Sequence, residues 1–427
     1  MLRLLYSLAL TLAVPLILLR LLLRSLRAPA YRQRIGERFA RFDLPDKFDP
    51  AAKTVWIHAV SVGETVAVAP LVDALLQHHP ALQIVITTMT PTGSDRVRAL
   101  FADRVVHVYA PYDLPGTVNR FIDRVNPALL VLMETELWPN MIHHCSRRGI
   151  AVMLANARLS ERSARAYGRL GSLTRAMLEK LDAIAAQSEA DARRLLELGA
   201  VAKRLTVTGS LKFNIAAGKA DCSDDIVMQS VQESGRTVLI AASTRAGEEQ
   251  KVLVAYAQLL QHTPELLLVL VPRHPERFSE VIKLCESQRL RVQRRSEKTA
   301  IDADTQVLVG DSMGEMPCYY QLADIAFVGG SLVDTGCQNV LEPAALGLPI
   351  LAGPSQYNFA AICAQLQQAG ALITVADPTA LASRCQELIE KPELRQQMGA
   401  AGRVLVEANQ QALPALLLML DQLLAEG

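Results

Sequence analysis

The chain has no G-x-x-x-x-G-K-[ST] segment, and no G-x-G-x-x-G follows an apolar run. The first absence removes P-loop nucleotide chemistry, and the second disfavours a dinucleotide oxidoreductase. Neither sign of charge is in excess: 44 Lys and Arg face 43 Asp and Glu, a net charge of +1. Nothing global therefore points to nucleic acid as a partner. Aromatic residues make up only 5% of the chain, which suits α/β packing built from Ala, Leu and Val. The seven cysteines are scattered, odd in number and never form a C-x-x-C pair. That argues against a disulfide framework and for reduced thiols in a cytoplasmic compartment. Cys145 follows His143 and His144, but adjacent histidines cannot share one helix face, so no metal is expected there. Internal repeats and low-complexity tracts are also missing.

What is present begins with an apolar segment. Leu4 to Leu23 is interrupted only by Ser7, Thr11 and Arg20. About 20 residues at ~1.5 Å each match a bilayer core of ~30 Å. Arg24, Arg27, Arg32, Arg34, Arg38 and Arg41 follow, against the single acid Glu37. The positive-inside rule holds such a flank in the cytoplasm, and the same arginines attract anionic lipid headgroups. Residues 1–27 are read as a signal anchor or a tightly membrane-associated helix. A cleaved signal peptide is disfavoured, because Ala28-Pro29-Ala30 resembles a cleavage site only loosely.

From Thr54 onward, short apolar runs alternate with helical stretches. Runs without polar alternation imply strands buried on both faces, hence parallel sheets covered by helices. The runs at Thr54–His58, Gln83–Met89, Val105–Tyr109, Ala128–Met133, Ile150–Leu154, Ala183–Gln187 and Leu205–Thr208 form a first series. Ala216–Ser234 reads as a linker. A second series follows: Thr237–Ala241, Leu266–Val271, Gln306–Val309, Asp324–Val328, Pro349–Leu351 and Leu372–Val375. A helical region, Pro392–Ala425, closes the chain. The expected fold class is α/β, with two Rossmann-like parallel-sheet domains facing a cleft, 28–217 and 218–427, behind the amino-terminal helix.

Ligands of such domains bind in loops at the carboxyl ends of the strands. The first strand is followed by Ser61-Val62-Gly63-Glu64. Gly63 would let the backbone turn tightly, and Glu64 would serve either as an anionic partner of a helix start or as a general base. The fourth is followed by Glu134-Thr135-Glu136-Leu137-Trp138, in which an extended chain would send both glutamates to one side. Lys212 ends the first half as either a surface lysine or a cation for an anionic ligand. In the second half, Pro272 and Arg273, the turn Met313-Gly314-Glu315, and Asn339-Val340-Leu341-Glu342 all follow strands. Together they outline a pocket for a nucleotide monophosphate, with a helix beginning near Asn339 and ending at Gly347. Asp302-Ala303-Asp304 spells D-x-D but precedes a strand, so it is read as solvent-facing.

Ser61–Glu64, Met133–Asn140, Gly209–Phe213, Pro272–Arg277 and Gly329–Leu332 with Asn339–Glu342 occur in order along nearly the whole chain. In these motifs the chain resembles the 3-deoxy-D-manno-octulosonic acid (Kdo) transferases of lipopolysaccharide synthesis. The resemblance implies a GT-B glycosyltransferase at the cytoplasmic face of a bacterial inner membrane. It would move Kdo from CMP-Kdo to lipid IVA, a lipid A precursor, by an inverting displacement. Carried over by motif, Glu64 would be the base, while Glu134 and Lys212 would support the transition state. Pro272, Arg273, Met313–Glu315 and Asn339–Glu342 would hold CMP. No cofactor or metal is implied. Many members carry Gly-Gly-His-Asn before the last of these helices, where this chain has Gly336-Cys337-Gln338-Asn339. The alternative is another GT-B enzyme acting on a UDP-sugar, a lipid glycosyltransferase or an epimerase.

Overall fold

A computed structural model describes residues 2–214, 222 and 225–426. The chain divides into two compact units, Met1–Asn214 with Asn409–Gly427, and Ile215–Ala408. Each is built on one parallel seven-stranded sheet.

In the first unit the strands are β1 (Thr54–His58), β2 (Gln83–Thr88), β3 (Val106–Tyr109), β4 (Leu129–Met133), β5 (Ala151–Ala157), β6 (Ala183–Ala186) and β7 (Leu205–Val207). Their spatial order is β3-β2-β1-β4-β5-β6-β7, so the winding reverses between β1 and β4. Alternate residues of β1 feed opposite cores. Trp56 packs with Phe121 and Leu130 on one face, while Val55 and Ile57 pack with Leu71 and Val72 on the other. Every residue of β1 and β4 is buried, as runs without alternation require.

The second unit contains β8 (Val238–Thr244), β9 (Leu267–Pro272), β10 (Val292–Arg294), β11 (Val307–Val309), β12 (Ile325–Val328), β13 (Ile350–Ala352) and β14 (Leu372–Thr374). The order β10-β11-β9-β8-β12-β13-β14 reverses between β8 and β12. Among the described residues, only β10 has no counterpart among the expected strands. Its three residues, Val292-Gln293-Arg294, mix apolar and polar character and lie at the sheet edge.

Several expectations change. The closing helical region is two helices, Pro392–Asn409 and Ala412–Glu426. The second of these packs not on the second sheet but on the first, placing Leu416 and Leu420 in the core with Val55 and Ile57. An unbroken domain 218–427 is thus replaced by a chain that returns to its first unit. The boundary expected at 217/218 lies outside the described residues, as do residues 216–221, 223 and 224 of the expected linker. The remainder of that linker is largely a helix, Ile226–Glu233, capped by Asp225. Cys222 and Cys318 form a disulfide, contrary to the expectation of reduced thiols alone. They lie 96 residues apart and meet because Ile226–Glu233 and the helix Met316–Leu322 pack in one core, a proximity that spacing does not reveal. The five other cysteines are free and buried.

Candidate active site

In the first unit, the candidate residues gather where the winding reverses. Ser61 follows β1 in an extended conformation and caps the helix Val62–His78, its hydroxyl accepting from the Glu64 N–H. Gly63 is the second residue of that helix and has no left-handed backbone, so the turn is made by Ser61 instead. Glu64 is 6% exposed. One carboxylate oxygen accepts from Ser61 Oγ at 2.7 Å and the other from the Val60 N–H at 2.9 Å. Burial pushes its carboxyl up to about 8; the bond from Ser61 opposes this, and nearby Glu136 and Glu134 add to it.

The loop after β4 is not extended. Glu134 has φ +53°, left-handed and uncommon outside glycine, and the Glu136 N–H turns back to the Met133 carbonyl. The two glutamates have separate duties. Glu134 lies 3.3 Å from Lys212 Nζ, and both side chains are about three-quarters buried. Glu136 accepts from Trp138 Nε1 at 2.8 Å, and burial raises its carboxyl. The Trp138 ring sits edge-on to His58, 4.6 Å between centroids, so this indole is a packing group with a polar tip. Lys212 is held by a turn whose Leu211 N–H donates to Asn156 Oδ1, from the end of β5. The unit thus combines one proton-retaining carboxyl with a neighbouring ion pair.

In the second unit, a pocket of ≈260 Å³ opens at the carboxyl ends of β8, β9 and β11. Pro272 and Arg273 line it after β9, and Met313 and Gly314 after β11. Asn339 and Glu342 complete it, with Tyr320 at its inner wall. Arg273 is exposed, and its charge opposes the rise that burial imposes on the Glu342 carboxyl. Asn339 Nδ2 donates to Glu342 at 2.8 Å, while its Oδ1 accepts from the Leu341 N–H at 3.0 Å.

Three of the sequence candidates sit differently. Val340 and Leu341 are core residues, and the Leu341 N–H is already bonded to Asn339. The helix expected from Asn339 is the single short turn Leu341–Ala345. Glu315 does not line the pocket; its carboxylate pairs with Arg295 at 3.1 Å and accepts from Ser312 Oγ. Asp302 and Asp304 are exposed, and Asp304 pairs with Arg291 on the surface.

Sequence reasoning missed Glu248. It is fully buried, and its carboxylate accepts from the N–H groups of Gly330, Ser331 and Leu332 at 2.6, 3.0 and 2.9 Å. It also accepts from the Arg245 N–H at 3.1 Å. This carboxylate clamps the glycine loop after β12 to the end of β8. Gly329 allows the contact, because a Cβ there would stand 2.7 Å from Thr244 Cα. Ser243, another pocket residue, has φ +56° at a register shift between β8 and β9. The one sequence signal was an acidic pair, Glu248-Glu249, opening a helix directly after a strand.

Comparison with known proteins adds ancestry to this geometry. The family model for 3-deoxy-D-manno-octulosonic-acid transferase (kdotransferase) matches residues 33–215, and that for group 1 glycosyl transferases matches 229–405. The chain is 40% identical over 97% of its length to the 3-deoxy-D-manno-octulosonic acid transferase of Haemophilus influenzae, covering 97% of that protein. It is 37% identical over 95% of its length to the protein of the same description from Bordetella pertussis, covering 95% of it. Among solved structures, UDP-GlcNAc 2-epimerase from Neisseria meningitidis is similar over 87% of this chain and 100% of that one, with TM-score 0.55 and 15% identity. At that identity the likeness concerns the fold alone.

Proposed function

The chain belongs to the Kdo transferase family, and from that premise we propose that it transfers Kdo from CMP-Kdo to lipid IVA with inversion at the anomeric carbon. The observation that carries the reading is Glu64, a buried carboxyl with a high proton affinity beside an ion pair, in a chain with the family's motifs throughout. The ionised Glu64 removes the proton of the acceptor hydroxyl as its oxygen bonds to the anomeric carbon. The bond to the CMP phosphate oxygen breaks on the opposite side, and the electron pair leaves with CMP. Arg273 stands at the pocket able to meet the charge that develops on that phosphate. Lys212, held by Glu134, offers a cation to the Kdo carboxylate or to the departing phosphate. Asn339 and Glu342 offer an amide and a carboxyl to the cytidine part, and Met313 and Gly314 offer a turn against it. Val340, Leu341 and Glu315 act from behind, by holding the turns that carry those groups.

The base belongs to the first unit and the nucleotide pocket to the second. A single phosphate needs less charge compensation than a diphosphate, and the reaction as written uses no divalent metal. The apolar helix Leu2–Arg27 suits attachment to the cytoplasmic side of the inner membrane, where the lipid acceptor resides. The deciding experiment supplies purified protein with CMP-Kdo and lipid IVA and weighs the products. A mass increase of one or more Kdo residues, abolished in Glu64→Gln, is the expected outcome. Unchanged lipid IVA, or full turnover by the variant, contradicts the assignment.

A further inference from the structure

The helix Leu2–Arg27 is long and apolar enough over residues 2–26 to cross a membrane. Its contacts say something different. In the first turns, Arg3 Nη1 donates to Asn140 Oδ1 at 2.7 Å, and Ser7 Oγ donates to the same oxygen at 3.1 Å. Tyr6 hydrogen-bonds the buried carboxylate of Asp113. Asp113 in turn accepts from the N–H groups of Asn140 and Met141. Beyond the other end, Arg34 donates to the His107 carbonyl at 2.9 Å and Arg38 to the Met89 carbonyl at 3.0 Å. Both ends of the segment are therefore fastened to one and the same folded unit. A helix that carried its first residues across a bilayer could not keep them bonded to a domain on the near side.

The exposed surface of the helix is sorted accordingly. Leu4, Leu8, Leu12, Leu16, Leu19 and Leu23 are each more than half exposed. At about 100° per residue they fall within an arc of about 120°. Arg3, Tyr6 and Ser7, which bind the domain, lie on the opposite side. Toward the far end a crevice of ≈360 Å³, lined by Leu18, Leu19, Leu21 and Leu22 with Tyr31 and Ile35, opens between the helix and the returning chain. Its walls are nearly all carbon, and Arg32 stands at its margin. Arg20 and Arg24 are exposed beside it. This is a leucine face with a basic border, the chemistry of the headgroup boundary of an anionic leaflet.

We propose that Leu2–Arg27 lies in the plane of the membrane along the first unit, its leucine arc sunk into one leaflet and its arginines at the headgroups, without crossing the bilayer. The crevice at Leu18–Leu22 takes the acyl chain of a lipid from that leaflet. The attachment is then monotopic, and it fixes the orientation of the first unit on the surface as well as its tether.

The test uses the full chain in the inner membrane of spheroplasts. Leu2→Cys is labelled with a membrane-impermeant maleimide before and after detergent, and wild type gives the background. Labelling of intact spheroplasts at less than one-tenth of the detergent value is expected; more than one-half places residue 2 across the membrane and overturns the proposal. A second measurement probes the latch directly. Ser7→Cys with Asn140→Cys is exposed in membranes to a short bis-methanethiosulfonate linker, which forms a disulfide with each thiol and releases methanesulfinate, and mapped by peptide mass. Lys47→Cys with Asp103→Cys, an exposed pair 3.2 Å apart, is the control. Bridging within about twofold of the control is expected, and a bridged control with an unbridged 7/140 pair overturns it. Finally, Leu12→Glu with Leu16→Glu should move at least nine-tenths of the chain into the soluble fraction with unchanged thermal unfolding. A double variant that stays in the membrane pellet removes the leucine arc as the contact.

Discussion

Glu64 is at once a helix-capping partner and the candidate base, and its surroundings set the terms of both roles. Ser61 and the Val60 N–H favour its charged form, yet burial and two neighbouring glutamates outweigh them and bring it to about 8. The kcat/KM of the transferase should therefore climb with unit slope as pH rises and level off above about 8. In Glu64→Gln that limb should vanish, with turnover down ~10²–10⁴-fold. Lys212→Met should move the limb to higher pH, because Glu134 then repels the Glu64 anion unscreened, and Glu134→Gln should move it lower. Stability has the opposite sense. The folded chain holds the Glu64 proton more tightly than the unfolded chain, whose carboxyl titrates near 4.5. Below that pH both forms are protonated and the group is neutral in its effect; between about 4.5 and 8 the unfolded chain ionises while the folded chain keeps its proton, so stability falls across that window and is level above it. Glu64→Gln should thus match wild type in unfolding free energy at pH 4 and exceed it at pH 9, by at most about 5 kcal/mol, read from denaturant melts at the two pH values. None of this balance can be read from the peptide Ser61-Val-Gly-Glu64, since burial and Glu136 come from the rest of the fold.

At the scale of elements, the glycine loop after β12 and the helix opening at Glu248 depend on each other. Glu248→Ala would leave buried N–H groups of the loop unbonded, at roughly 1–3 kcal/mol for an unsatisfied group. Glu248→Gln retains one acceptor oxygen and should lose less. In both, calorimetry should show a destabilised second unit, and the KM for CMP-Kdo should rise more than kcat falls. Gly329→Ala tests the same contact from the other side, and its Cβ would meet backbone that cannot rotate away. Strand positions were legible beforehand because each buried strand is a continuous apolar run. The three-residue β10 was not, since an edge strand needs no such run. The turn at Glu134 was also hidden: a left-handed glutamate is held by the Ala155 carbonyl and the Lys212 cation, both remote in sequence.

For the whole molecule, the informative feature is the route of the chain. It leaves the first unit after Asn214 and comes back at Asn409. The last helix fills the core above Val55 and Ile57 with Leu416 and Leu420, both fully buried. Leu420→Ala should cost about 2–5 kcal/mol. That loss should appear in the unfolding of the first unit, far away in sequence, and not in that of the second. Deleting residues 409–427 should expose the first sheet and cause aggregation, where a purely carboxyl-terminal domain would have suffered alone.

The sequence by itself determined the two parallel sheets, the order of their loops and the family, because hydrophobic runs, loop glycines and motif residues are local properties of the chain. Tertiary structure alone decided the Cys222–Cys318 bridge, the clamp by Glu248, the return of the last helix and the fastening of both ends of the first. Each of these joins residues tens to hundreds of positions apart, and such contacts are chosen by which surfaces the packed sheets bring within a few ångströms.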